Sequence, residues 1–167
     1  NQLQGINANS DGYRLLTEAE WEWLARKSGK SEQSVYVWGN EQVIPKSTIN
    51  VADESAKGKV KFFVSKYNDG YPELAPVGRF AQEKSGLYDQ GGNVSEWTHD
   101  SYSIVIPESG KVFEDPFDMA MGNTRVVKGA NWRSGSVTEL RPSFREGLSG
   151  PREDLGFRIG RYIYGGN

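Results

Sequence analysis

Gly86-Leu87-Tyr88-Asp89-Gln90-Gly91-Gly92-Asn93-Val94-Ser95-Glu96-Trp97-Thr98 is the stretch on which the reading of this chain turns. Gly91-Gly92 marks a turn between two acids, Asp89 and Glu96. Asn93-Val94-Ser95 spells a glycosylation sequon, but its place inside so dense a motif argues against modification. The fact that decides how to read the stretch lies elsewhere: the 167-residue chain has no cysteine. Disulfides and thiolate metal sites are excluded together, and the compartment stays open.

Outward from this stretch, length and composition describe one domain with a real core. Hydrophobic residues at 36% and charged residues at 25% suit a globular protein. No apolar run is long enough for a membrane helix, Ser103-Ile104-Val105-Ile106 included. A net charge of −2 argues against nucleic-acid binding. Charge is uneven, with eight Lys/Arg against four Asp/Glu from Gly122 onward. Two readings follow: a local anion-binding surface, or arginines that pair with carboxylates and carbonyls inside the fold.

Thr17-Glu18-Ala19-Glu20-Trp21 predicts a helix start, with Thr17 as N-cap and Glu20 closing a capping box. Leu16 and Trp21 are placed for a hydrophobic staple, and Trp21, Leu24 and Ala25 form a one-sided stripe. The helix is expected over 18–28, stopped near Gly29. Strands are expected at 60–64, 125–128 and 157–162. Elsewhere glycine turns dominate, and the connections 43–59 and 101–122 are long enough to need a function or a bound ion to order them.

Four ordered blocks resemble the formylglycine-generating enzyme family, also called the sulfatase-modifying-factor domain. Tyr13–Glu22 is similar to its "RLPTEAEWE" helix, with Leu16 where proline is usual. Val37-Trp38-Gly39-Asn40 is similar to "PWG". Leu74-Ala75-Pro76-Val77-Gly78 with 86–98 resembles "APVG…GLYDMGGNVWEW", and Lys128–Trp132 with Leu155–Arg158 resembles "RGGSW" and "GFR". The resemblance implies an α+β, C-type-lectin-like fold, loop-rich with little regular structure. It implies a single domain over 1–167 that lacks the family's N-terminal element.

Family members bind two calcium ions, and the resemblance carries both ligand sets over. Asn50, Val51, Asp69 and Tyr71 match the first, across a somewhat longer gap; Asp89, Gly92, Val94 and Glu96 match the second without a gap. Hard oxygens from carbonyls and carboxylates suit calcium, and an ion would order loops that bury little apolar surface. The alternative is that Asp89 and Glu96 are turn acids in salt bridges. The family's two copper-binding cysteines fall on Ser134 and Glu139, neither of which binds Cu(I), so no copper and no formylglycine generation are expected. His99 reads as a surface or structural histidine rather than a general base.

The resemblance therefore implies a non-catalytic, calcium-stabilised binding or scaffold domain of a bacterial envelope or secreted protein. It would recognise a protein or other ligand through the former active-site face: Trp132, Arg133, Ser134, Ser136, Glu139 and Arg141. The bland alternative makes Trp132 core and the arginines internal clamps. Two other functions stay open. One is a retroelement-diversified ligand-binding protein, varied over 132–154. The other is a cysteine-free tailoring enzyme of the pyoverdine-maturation type, with Glu139 as acid/base.

Overall fold

The computed structural model describes residues 12–104, 109–111 and 122–161. Regular structure begins with β1 (Arg14–Leu15) and α1 (Glu18–Arg26). The helix starts as its sequence dictates. Thr17 Oγ1 accepts the Glu20 N–H at 3.2 Å and Glu20 Oε2 accepts the Thr17 N–H at 2.8 Å. Leu16 and Trp21 share one core cluster, as a staple requires. The helix ends at Arg26, two residues before the expected Ser28, because Lys27 leaves helical geometry and Gly29 follows at φ +70°.

Four strands make the main sheet: β2 (Ser95–Ser101), β3 (Arg125–Lys128), β4 (Arg145–Leu148) and β5 (Leu155–Phe157), in the order β4-β3-β2-β5. Only the β2–β5 pair is parallel. A two-stranded sheet joins β1 to β6 (Ile159–Gly160). The strand expected at 125–128 is present with those bounds. The one expected at 157–162 is divided between β5 and β6, and Tyr162 lies outside the described residues. At 60–64 no strand forms: there are single bridges from Lys57 to Val60 and from Asp53 to Val64. That segment packs its backbone on Gly135 instead; a Cβ there would stand 2.1 Å from the Phe62 carbonyl oxygen. Strand β2 escaped the pattern because both its faces are covered, so polar Thr98, Asp100 and Ser101 are buried along it.

The four sequence blocks converge on one node. Trp21 is fully buried, and its Nε1–H donates to Glu96 Oε2 at 2.7 Å. Gly129, at φ +83°, lies under the same indole, where a Cβ would come within 3.0 Å of the ring. Gly91 admits Val37, whose methyl would meet a Cβ at 2.4 Å. The helix is also clamped electrostatically. Buried Lys128 reaches Glu18 and Glu22 at 3.3 and 3.1 Å, and Arg145 reaches Glu18 at 2.7 Å. Much of the positive charge after Gly122 is thus spent inside the fold, through Lys128, Arg145, Arg152 and Arg158. No helix among the described residues is long and apolar enough to cross a membrane.

Candidate functional site

Two loops meet at Asn50, whose side chain is fully buried. Its amide nitrogen donates to the Glu73 carbonyl at 2.9 Å and to Asn93 Oδ1 at 3.1 Å. Its Oδ1 is buried and has no partner among the described residues. Beside it, Asp69 accepts the Val51 N–H at 3.0 Å and the Tyr71 N–H at 2.7 Å. The sequence reading thus named four residues that the fold brings together. It missed a fifth, Asp53, which is fully buried and accepts the Asp69 N–H. Burial pushes the Asp69 carboxyl up from 3.8 to about 6; the Tyr71 and Val51 N–H groups oppose this and Asp53 reinforces it. A buried amide oxygen without a donor, next to a carboxylate that ionises reluctantly, is relieved by an oxygen-coordinating cation. The residues fit calcium: Asn50 and Asp69 would offer side chains, Val51 and Tyr71 their carbonyls.

The second constellation is built differently. Asp89 sits at φ +58° and accepts the Gly78 N–H at 2.6 Å. The Gly92 carbonyl accepts the Val94 N–H at 2.9 Å. Glu96 is buried and fully engaged: Arg158 donates to both its oxygens at 2.6 Å, and Trp21 to one of them. A neighbour absent from the expected set, Glu83, accepts the Gln90 N–H at 2.8 Å through Oε1, while its Oε2 is buried without a partner among the described residues. Burial lifts the Glu83 carboxyl from 4.5 to about 7; Gln90 and Arg158 pull down, and Asp89 and Glu96 push up. Here the chain supplies its own cation to Glu96, so calcium fits less well than at Asn50. No group of three or more His, Cys, Asp or Glu among the described residues is arranged to hold a metal. An ion at either place would depend on carbonyl and amide oxygens.

The two constellations are joined through Asn93, at φ +70°. Its side chain bridges Asn50 and both polar backbone groups of Ala75, and its carbonyl accepts the Trp132 N–H at 3.0 Å. Buried and bonded at both ends of its amide, Asn93 presents no free sequon nitrogen.

Trp132 opens the expected recognition face. A cavity of about 380 Å³ is lined by Arg133, Ser134 and Glu139 together with Ser95, Phe144 and Asp154, among others. Ser95 stands where the motif it resembles has tryptophan, and that loss of bulk leaves room at the cavity wall. Glu139 Oε2 accepts the Ser136 N–H at 3.0 Å. Ser134 is tied by its own carbonyl to the Ala52 N–H at 3.1 Å, next to the first constellation. Arg133 pairs with Glu153 and lies 4.4 Å over the Trp132 ring. Trp132 is half-buried and faces a second cavity, while the exposed Ser136 and Arg141 line neither. Arg152, bound to both Glu146 oxygens and to Asp154, was not foreseen. His99 lies apart, with Leu15, Trp97, Thr98 and Arg125.

Residues 3–163 match the family described as "Sulfatase-modifying factor enzyme 1-like domain". The chain belongs to that family. Among its curated relatives, the formylglycine-generating enzyme of Thermomonospora curvata is 37% identical over 131 residues, covering 72% of this chain and 39% of that protein. The inactive C-alpha-formylglycine-generating enzyme 2 of Mus musculus is 37% identical over 154 residues, covering 88% and 42%. The chain therefore spans about two fifths of the length of these relatives. Among solved structures, Treponema denticola variable protein 1 superposes with a TM-score of 0.64 at 29% identity, covering 92% of this chain and 49% of that one. The α+β, loop-rich, C-type-lectin-like architecture of the sulfatase-modifying-factor family is thus the fold of this chain, in a member with no cysteine.

Proposed function

We propose that this sulfatase-modifying-factor domain is a non-catalytic, calcium-stabilised recognition module. It binds a protein or other ligand through the cavity at Arg133, Ser134 and Glu139. One observation carries the reading. The fold keeps a cavity of about 380 Å³ where its enzymatic relatives are expected to hold copper, yet its wall offers Ser134 and Glu139 rather than thiolates. A pocket of that size, with a few convergent polar groups, suits binding. The kinship with a relative named inactive supports the same conclusion.

Calcium belongs to this reading as a structural ion. At Asn50, Val51, Asp69 and Tyr71 it would neutralise buried negative charge and hold the loops that position Ser134. Whether Asp89, Gly92, Val94 and Glu96 take a second ion is decided by the stoichiometry of a calcium titration. The recognition reading is tested by capture from envelope fractions with calcium present, comparing the intact domain with an Arg133→Ala/Glu139→Ala variant of unchanged melting temperature. A partner held by the intact domain alone supports it. Equal capture by both, or copper-dependent turnover of a cysteine peptide, overturns it.

The likeness to a protein named variable favours a second reading, a ligand-binding protein diversified over 132–154. A reverse transcriptase and a template repeat beside the coding sequence would support it, and their absence would remove it.

A further inference from the structure

A second cavity of about 380 Å³ lies between two loops that touch, the segment 59–61 and Trp132–Arg133. Its walls are Lys59, Val60, Lys61, Pro72, Glu73, Trp132 and Arg133. The contact that fixes these loops is tight, since Gly135 lies directly under the backbone of Phe62 and Phe63. Three cations line it, of which Arg133 is paired with Glu153; the one acid among the lining residues, Glu73, reaches Lys59 only at 3.4 Å in an exposed pair. Exposed pairs of this kind hold their partners weakly, so Lys59 is readily released to a ligand. One further donor is unsatisfied: the Trp132 indole N–H is buried and has no acceptor among the described residues. A buried donor without an acceptor is costly, and this one sits in a residue that lines the cavity.

We infer that this cavity binds an acidic segment of a partner protein, with carboxylates on alternate residues. Lys59 and Lys61 are two residues apart and both line the cavity. Acidic side chains at i and i+2 of an extended peptide share one face about 7 Å apart, so both can point into a cavity that two lysines line. Val60, Pro72 and the indole supply apolar wall for the aliphatic stems between those charges. Arg133 and Trp132 line this cavity, and Arg133 also lines the one at Ser134 and Glu139, so the two are neighbours across one side chain. The inference rests on the recognition reading above and gives its partner a charge.

The test uses a fluorescent peptide with glutamate at alternate positions and the same peptide with glutamine in their place. Anisotropy is read at low and high salt. The acidic peptide is expected to bind at least about tenfold more tightly, with the advantage falling as salt rises. Lys59→Gln/Lys61→Gln is expected to erase that advantage without moving the melting temperature, which separates the lysines from any attraction of the peptide to calcium. Equal binding of the two peptides, or an advantage that survives in the double variant, overturns the inference. So does a preference for a sulfated oligosaccharide over the acidic peptide. Partner capture by Glu139→Ala is scored separately. If it is lost while the two peptides bind alike, the cavity assignment fails and the recognition reading stands.

Discussion

The Asn50–Asp69 region and the Asp89–Glu96 region solve one problem in two ways. Both bury polar oxygens, in a loop at Asn50 and near the start of β2 at Glu96. Around Glu96 the protein brings Arg158 and the Trp21 indole, and every oxygen of that carboxylate finds a donor. Around Asn50, among the described residues, no side-chain cation is bonded and one amide oxygen has no partner, while burial raises the Asp69 carboxyl to about 6. The difference separates two kinds of order in one fold. One satisfies its oxygens with the chain's own donors, and the other leaves Asn50 Oδ1 without a partner among the described residues.

That contrast can be broken most forcefully at Glu96. Glu96→Ala leaves the Trp21 N–H without its acceptor and Arg158 without its counter-charge, with only the Tyr88 carbonyl remaining among the described residues, and is expected to cost about 3–5 kcal/mol in chemical denaturation. The loss should persist in chelator. A loss seen only with calcium would instead assign Glu96 to an ion. Next in size is calcium removal, expected to lower the melting temperature by about 5–10 °C at saturating ion. Asp69→Asn should abolish most of that response; an unchanged melt in chelator would end the case for an ion.

A smaller effect is expected from Glu83. Its folded pKa of about 7 lies above the ordinary 4.5, so the native state holds the proton more tightly than the unfolded chain. Its contribution is therefore present below about pH 4.5 and is lost as pH rises through about 7. The cost above neutrality is about 2 kcal/mol after allowance for solvent screening. Denaturation of the calcium-free protein at pH 5 and pH 8 should show the decline, and Glu83→Gln should flatten it. The smallest change marks the baseline: Glu73→Gln, in an exposed pair, should move stability by less than about 0.5 kcal/mol. A larger shift would mean that the Lys59 loop is held more firmly than its exposure suggests.

Much of the architecture was legible because its determinants are local. Thr17 and Glu20 cap a helix wherever they stand three apart in such a frame, and Gly91-Gly92 marks a turn. Strand β2 was not legible, because burial on both faces lets polar Thr98 and Asp100 replace the alternation that marks a strand. The 60–64 segment reads as a strand by composition and lacks a ladder partner, a fact that belongs to the partner and not to the segment. At the site, side chains inside a motif could be named, whereas Asp53, Glu83 and Arg152 lie outside the resembling blocks and carry no signature of their own. Ser95 was the missed clue: one small residue in an aromatic position foretells space.

The pairing of β1 with β6 has a practical consequence. Arg14 lies opposite Gly160 across a two-residue ladder, so the first and last described strands adjoin. The same adjacency makes this edge a natural gauge of integrity: a donor–acceptor dye pair at 14 and 160 would sit in close range while the domain is folded and fall dark once it opens.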